Sequence, residues 1–392
     1  MATGAGATMF ESVARAIGCS SDNWVATGQK DRRVLADLHV HLMLNDWNRT
    51  TPVGVRYPGL ATVAEKFINK TEIDWMNCHR AGIDMLVSAH VNVFDEWLSM
   101  PTDPNPQAPA NTHGMMDLLE RELHGPARPY ATLARNYIEL RSLLDCPKTD
   151  PSFRMAVVHG IEGGHALGGD LNSLEPLAKR GVALICLTHF FNKGIASSAN
   201  SYPYFPDANS RWPHAGLSEF GRDVLSEMER LGIPADVTHA TATAMSDILR
   251  YARKPLVATH TSARTLGDHP YCLYDEHIEE IARGGGIIGV IVYPYILSNY
   301  ATIHEAEKKG SLCDVVRTVR YLVNLLGSHR NIGIGSDFSG FIAGPKDMGK
   351  LSQIGRLRGL LLEEFGGDEA IVEDIMANNV IDFFMNNWRS GL

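Results

Sequence analysis

Several things are scarce in this sequence, and each absence excludes something. Six cysteines in 392 residues (Cys19, Cys78, Cys146, Cys186, Cys272 and Cys313) form no C-x-x-C pair, which rules against a cysteine zinc site. No apolar stretch approaches the roughly 18 residues that a membrane-spanning helix needs. The opening segment MATGAGATMFESVARAIGCSSDNW has no positive run followed by an apolar one, so no secretory signal is expected. Scattered thiols without a signal point to a reduced, cytoplasmic protein. Basic charge is short: 36 Lys and Arg against 45 Asp and Glu leave a net charge of −9, which argues against nucleic acid or a membrane surface as partner. The glycine-rich segments GGHALGGD (163–170) and GIGSDFSG (333–340) supply neither a dinucleotide-binding fingerprint nor a P-loop lysine. No G-x-S-x-G nucleophile elbow is present.

What the chain does have is 44% apolar residues, 21% charged residues and 16 histidines. The first two values are those of a globular protein long enough to bury a large core. Short apolar runs alternate with helical patterns along it. The runs lie at 34–41, 83–90, 155–163, 182–189, 233–239, 255–260, 286–293 and 332–338. Each is nearly continuous in apolar residues, as parallel strands covered on both faces should be. Between them, apolar residues recur at helical spacing from Leu217 to Leu231, from Met245 to Ala252 and from Leu312 to Leu326, and 368–388 also reads as helix. Eight strands with interleaved helices predict an α/β fold of the (β/α)8 TIM-barrel type. The barrel is expected over 34–392, with 1–33 as an extension packing on it. Two irregular segments, 101–113 and 192–216, would sit at the barrel mouth as walls of a substrate pocket.

The residues closing the strands carry the chemistry. They are His39 and His41, His90, Glu162, His189, His239, His260, Tyr293 and Asp337. In a barrel such positions converge on one mouth. His39, His41, Glu162, His239 and His260 offer imidazole and carboxylate without thiolate, a donor set that suits zinc. Five ligands exceed the four of one tetrahedral zinc, so two ions are expected, bridged by Glu162 and a hydroxide. Asp337 is placed to move the proton of that water, and His189 to stabilise an oxyanion.

HGIEGGH, CLTH, GLSEFGRDVLSEMERLG, DVTH, ATHTSAR and GIGSDFSG, in this order, resemble the membrane (renal) dipeptidase family of zinc metallopeptidases, part of the amidohydrolase superfamily. The resemblance covers roughly 34–388. It implies that Glu162 bridges the metals, that His39 belongs to the first ion and that His239 and His260 belong to the second. It further implies that His189 binds the carbonyl oxygen in the transition state, that Asp337 is the catalytic aspartate and that the substrate is a dipeptide. Two departures stand out. The family's H-x-D on the first strand reads His39-x-His41 here, and its D-H-P-R-N, whose Arg grips the substrate carboxylate, reads Asp268-His269-Pro270-Tyr271-Cys272. Arg264 is then the expected replacement cation, with Tyr271 and Tyr293 as further substrate contacts. The competing readings are a non-peptide amide, lactone or ester hydrolase of the same superfamily, and a non-catalytic barrel used as a binding protein. Sequence alone leaves monomer or homo-oligomer open.

Overall fold

The computed structural model of the protein describes residues 32–50, 70–97, 104–191, 194–199 and 216–391. Its strands are β1 (Ala36–Val40), β2 (Met85–His90), β3 (Ala131–Leu133), β4 (Met155–Glu162), β5 (Val182–Cys186), β6 (Ala235–Asp236), β7 (Val257–Thr261), β8 (Ile287–Ile291) and β9 (Ile332–Gly335). All pair in parallel. The order β2-β1-β9-β8-β7-β6-β5-β4 closes on itself through β2–β4, giving the eight-stranded barrel expected from the eight apolar runs.

Strand β3 is an addition. It pairs with Met155–Val157 at the start of β4, while β5 takes the later residues of that edge, from His159 to Glu162. A three-residue strand whose middle residue is exposed carries too little pattern to be read from sequence.

Burial follows the two-faced character of the strands. One set of residues, including Ala36, Leu38, Met85, Val87, Ala156, Val158, Val257 and Ile287, packs with Val380, Phe384 and Trp388 from the C-terminal helical region. The other set, including Leu35, Leu86, Val157, Ile161 and Ile185, packs on the surrounding helices. The C-terminal stretch is helical as expected, with one wide turn at Asp374–Asn378 between Glu369–Glu373 and Asn379–Asn387. Its closeness to the sheet depends on Gly333, where an added Cβ would meet Val380 Cγ2 at 2.6 Å.

The helix Glu219–Leu231 begins where the Ser218 side chain accepts the Gly221 N–H and ends at Gly232 in the left-handed region. Leu312–Leu326 starts on a capping box of Ser311 and Asp314 and stops at Gly327. The 101–113 segment is not all loop: a helix runs over Ala108–His124. Pro109 looked like punctuation, but it lies in the first helical turn, where a missing N–H costs nothing. Residues 101–103, 192–193 and 200–215 of the two expected pocket walls lie outside the described residues, as do 1–31 of the expected extension. Its described part, Arg32 and Arg33, pairs with Glu369 and Asp84. No helix among the described residues is long and apolar enough to cross a membrane.

Candidate metal centre

The strand order brings the C-terminal ends of β1, β4, β5, β6, β7 and β9 to one mouth, and residues at or just beyond those ends meet there. Five imidazoles surround the Glu162 carboxylate. His39, His239 and His260 place Nε2 at 3.3, 3.2 and 3.4 Å from Oε1. His41 and His189 place Nε2 at 3.5 and 3.7 Å from Oε2. His239 and His260 have their Nε2 atoms 3.3 Å apart. Asp337 Oδ1 lies 3.1 Å from His41 Nε2 and 3.9 Å from His39 Nε2. All seven residues are buried. The site residues read from sequence as ligands, oxyanion donor and base thus stand in one cluster.

Local backbone supports a functional reading. Among the described residues, His239, Asp337 and Ser339 are the non-glycine residues with positive φ, at 69°, 61° and 58°. Two of these three belong to the cluster. Such strain persists where the surroundings over-determine it, and it concentrates at active sites.

The charges suit a cation. Burial alone would raise the Glu162 carboxyl, but His189, His39 and the contacts from His239 and His260 hold it well below the usual carboxylate range. Burial pushes His239 down to about 4, and burial with the neighbouring His39 charge pushes His260 down as well. A neutral imidazole keeps the Nε2 lone pair that a metal needs. His39 Nε2 and Glu162 Oε2 are buried and make no hydrogen bond. Buried polar atoms left this way are costly unless something else takes them. Convergent donor atoms of His39, His41 and Glu162, and of Glu162, His189 and His239, lie within 4.8 Å of one another. The residues therefore fit a divalent metal.

Residues 132–386 match the membrane dipeptidase family (peptidase family M19). The chain belongs to that family. Dipeptidase aclJ of Aspergillus oryzae is 30% identical over 200 residues, which are 51% of this chain and 44% of that relative. The chain matches about half the length of the curated relatives. Among solved structures, the metallopeptidase dipeptidase AC has a TM-score of 0.73 at 21% identity, covering 92% of this chain and 100% of that one. A metallopeptidase from Rhodobacter sphaeroides, liganded with a phosphinate mimic of the dipeptide L-Ala-D-Ala, has a TM-score of 0.70 at 20% identity, covering 91% and 100%. These likenesses carry the fold.

In this membrane dipeptidase family chain, several residues at the centre were not legible as site residues. Glu96 is buried on the helix Val93–Trp97, and its Oε2 accepts from His189 Nδ1 at 2.5 Å. His165 Nδ1 lies 3.5 Å from the other Glu96 oxygen. Burial opposes protonation of His189, but Glu96 and Glu162 push its imidazolium up to about 9. Asp236 and Thr259, on β6 and β7, lie behind the ligands. The only hint of them in the sequence is a polar residue inside an otherwise apolar buried strand, which must find a partner.

The remaining strand-end residues sit elsewhere or serve otherwise. His90 turns away from the cluster to bond His159 Nδ1 at 2.9 Å, and His159 in turn lies 3.5 Å from Glu120 on the helix Ala108–His124. This corrects its expected place at the mouth: it alternates with Val87 and Ala89 on β2 and shares the face of Leu86, which packs toward the helices. Tyr271 packs against His239 and His260, with ring centroids at 4.9 and 5.9 Å, and its hydroxyl donates to the His260 main-chain carbonyl. That hydroxyl proton is spent, so it offers an incoming carboxylate nothing. Arg264 donates from Nε to Asp268 at 3.0 Å and lies over the Tyr274 ring at 4.9 Å. Tyr293 is buried against Tyr295, with ring centroids 5.8 Å apart.

Proposed function

We propose that the protein is a zinc-dependent hydrolase that cleaves dipeptides. The observation carrying this reading is the set of imidazole Nε2 atoms converging on both oxygens of one buried carboxylate, Glu162. His39, His41 and Glu162 would hold one ion, and Glu162, His239 and His260 a second. Ions held there would acidify a water and polarise the scissile carbonyl. Histidine and carboxylate donors without thiolate favour zinc.

This chain's own groups do the rest. Asp337, held below the ordinary carboxylate range because His41 and His260 outweigh its burial, stays ionised and accepts a proton from the attacking water. It then returns that proton to the leaving amine as the C–N bond breaks. His189, fixed by Glu96 through Nδ1, presents its Nε2 proton to the developing oxyanion. Cys78, Cys146, Cys186 and Cys272 are free thiols, which agrees with a cytoplasmic setting.

A carboxylate grip on the substrate is assigned to Arg49. A cavity of about 260 Å³ opens beside His41 and is lined by Asn45, Arg49, Trp75 and Ser339. Arg49, on the helix Leu44–Thr50, lines this cavity beside the ligand His41, where a carboxylate of a bound substrate would come to lie. A guanidinium binds a carboxylate through two parallel hydrogen bonds, and charged hydrogen bonds contribute about 1.5–3 kcal/mol. Arg49→Met is therefore expected to raise KM for dipeptides about 10–100-fold and to leave KM for their C-terminal amides nearly unchanged. Equal effects on both substrate series would remove Arg49 from this role. Wild-type preference for the amides would favour the non-peptide amidohydrolase reading.

A further inference from the structure

We propose that Thr259 is a positioning residue whose hydroxyl sets the proton and the aim of one ligand imidazole on each side of the metal centre, His39 and His260. The proposal rests on the ligand assignment above. It concerns groups with no direct contact to the substrate.

Asp236 begins the chain of reasoning. Its Oδ1 accepts the Thr238 N–H at 2.9 Å, the Thr259 N–H at 3.1 Å and the Thr238 hydroxyl at 2.7 Å. Its Oδ2 accepts the Thr259 hydroxyl at 2.5 Å. Three donors converge on Oδ1, and the ionised carboxylate can only accept at Oδ2, so the Thr259 hydroxyl hydrogen is committed to Asp236. The same oxygen lies 2.8 Å from His260 Nδ1 and 3.4 Å from His39 Nδ1. An oxygen that has given its only proton can only accept. Each imidazole must then carry a proton on Nδ1, so its neutral form has Nε2 bare, and both Nε2 atoms face Glu162 Oε1.

The alternative tautomer would be self-defeating. With the proton on Nε2, His39 or His260 would donate it to Glu162, and that pair would compete with a metal for both groups. Partners that fix the far nitrogen of a ligand imidazole typically change metal affinity 10–100-fold. What is unusual here is that one hydroxyl serves two rings.

The position is rigid. Thr259 and Asp236 are fully buried. An added Cβ at Gly289 on β8 or Gly335 on β9 would fall 1.9 or 1.8 Å from the Thr259 carbonyl oxygen, so the adjacent strand and the one beyond it both give up a side chain to let β7 approach. His39, Asp236 and His260 also converge closely enough to suggest a metal site of their own. The Thr259 hydroxyl occupies the space between these three, so they form a support and not a further ion site.

The test compares Thr259→Val, which is nearly isosteric, with Thr259→Ser, which keeps the hydroxyl. Zinc affinity is measured by competition with a chelator, and the nitrogen-15 shifts of His260 are recorded in the metal-free protein. Valine is expected to weaken both zinc equivalents about 10–100-fold, and serine to bind as wild type does. Wild-type His260 is expected to hold its proton on Nδ1. A third variant does not depend on valine folding. In Asp236→Asn, the two N–H donors keep the amide oxygen at the Oδ1 position, so the NH2 faces Thr259. The hydroxyl must then turn its proton onto an imidazole Nδ1, and zinc affinity falls although the threonine remains. Wild-type affinity in the valine and asparagine variants, equal losses in valine and serine, or a His260 proton on Nε2 would each overturn the proposal. None of these readouts needs peptide hydrolysis, so a failure of the dipeptidase reading remains distinguishable.

Discussion

Glu162→Gln is expected to lose bound metal and to lower kcat/KM by roughly 10³-fold or more, since a metal supplies several kcal/mol of transition-state stabilisation. The reason is local. Glu162 is the carboxylate against which His39, His41, His189, His239 and His260 all place Nε2 within 3.7 Å. Glutamine fills the same volume but replaces one oxygen with an NH2 that cannot ligate. It also removes one of the two negative charges, the other being Asp337, that face the five imidazoles. The shape match should leave the barrel folded, so metal analysis and circular dichroism on one sample separate ligand loss from unfolding. Full metal content in the glutamine variant would remove Glu162 from its bridging role.

Asp337→Asn separates proton transfer from metal binding. Its kcat is expected to fall about 10²–10⁴-fold, the usual contribution of a general acid–base group, with metal content and KM close to wild type. Asparagine tolerates the left-handed backbone that Asp337 adopts at φ 61°, so the loop should survive the change. It keeps an oxygen in the place of Oδ1, 3.1 Å from His41 Nε2, but it cannot take a proton from water. Parallel loss of metal and activity would make Asp337 a ligand and not the base.

Much of this centre was legible in the sequence because a barrel turns strand order into spatial convergence. Eight runs buried on both faces predicted the sheet, and polar residues closing those runs predicted the cluster. The limits were also physical. His90 closes a strand as His260 does, yet the alternation of side chains sends it to the helical layer, and the phase of a run apolar on both faces cannot be read from pattern alone. Glu96 lies on a short helix after β2, where only tertiary folding brings it to His189. The helix Ala108–His124 was hidden by prolines that are harmless in a first turn. Tyr271 was read as a substrate contact, but side-chain packing against His239 and His260 and its hydroxyl bond to the His260 carbonyl are visible only once the chain has folded.

The most direct test is a zinc titration of metal-free protein, with hydrolysis of a dipeptide and bound zinc followed together. Activity is expected to rise from nothing and to break at two equivalents, with two ions bound. Hydrolysis undiminished in the metal-free protein, or full activity at a single bound ion, would contradict the two-ion centre built on Glu162.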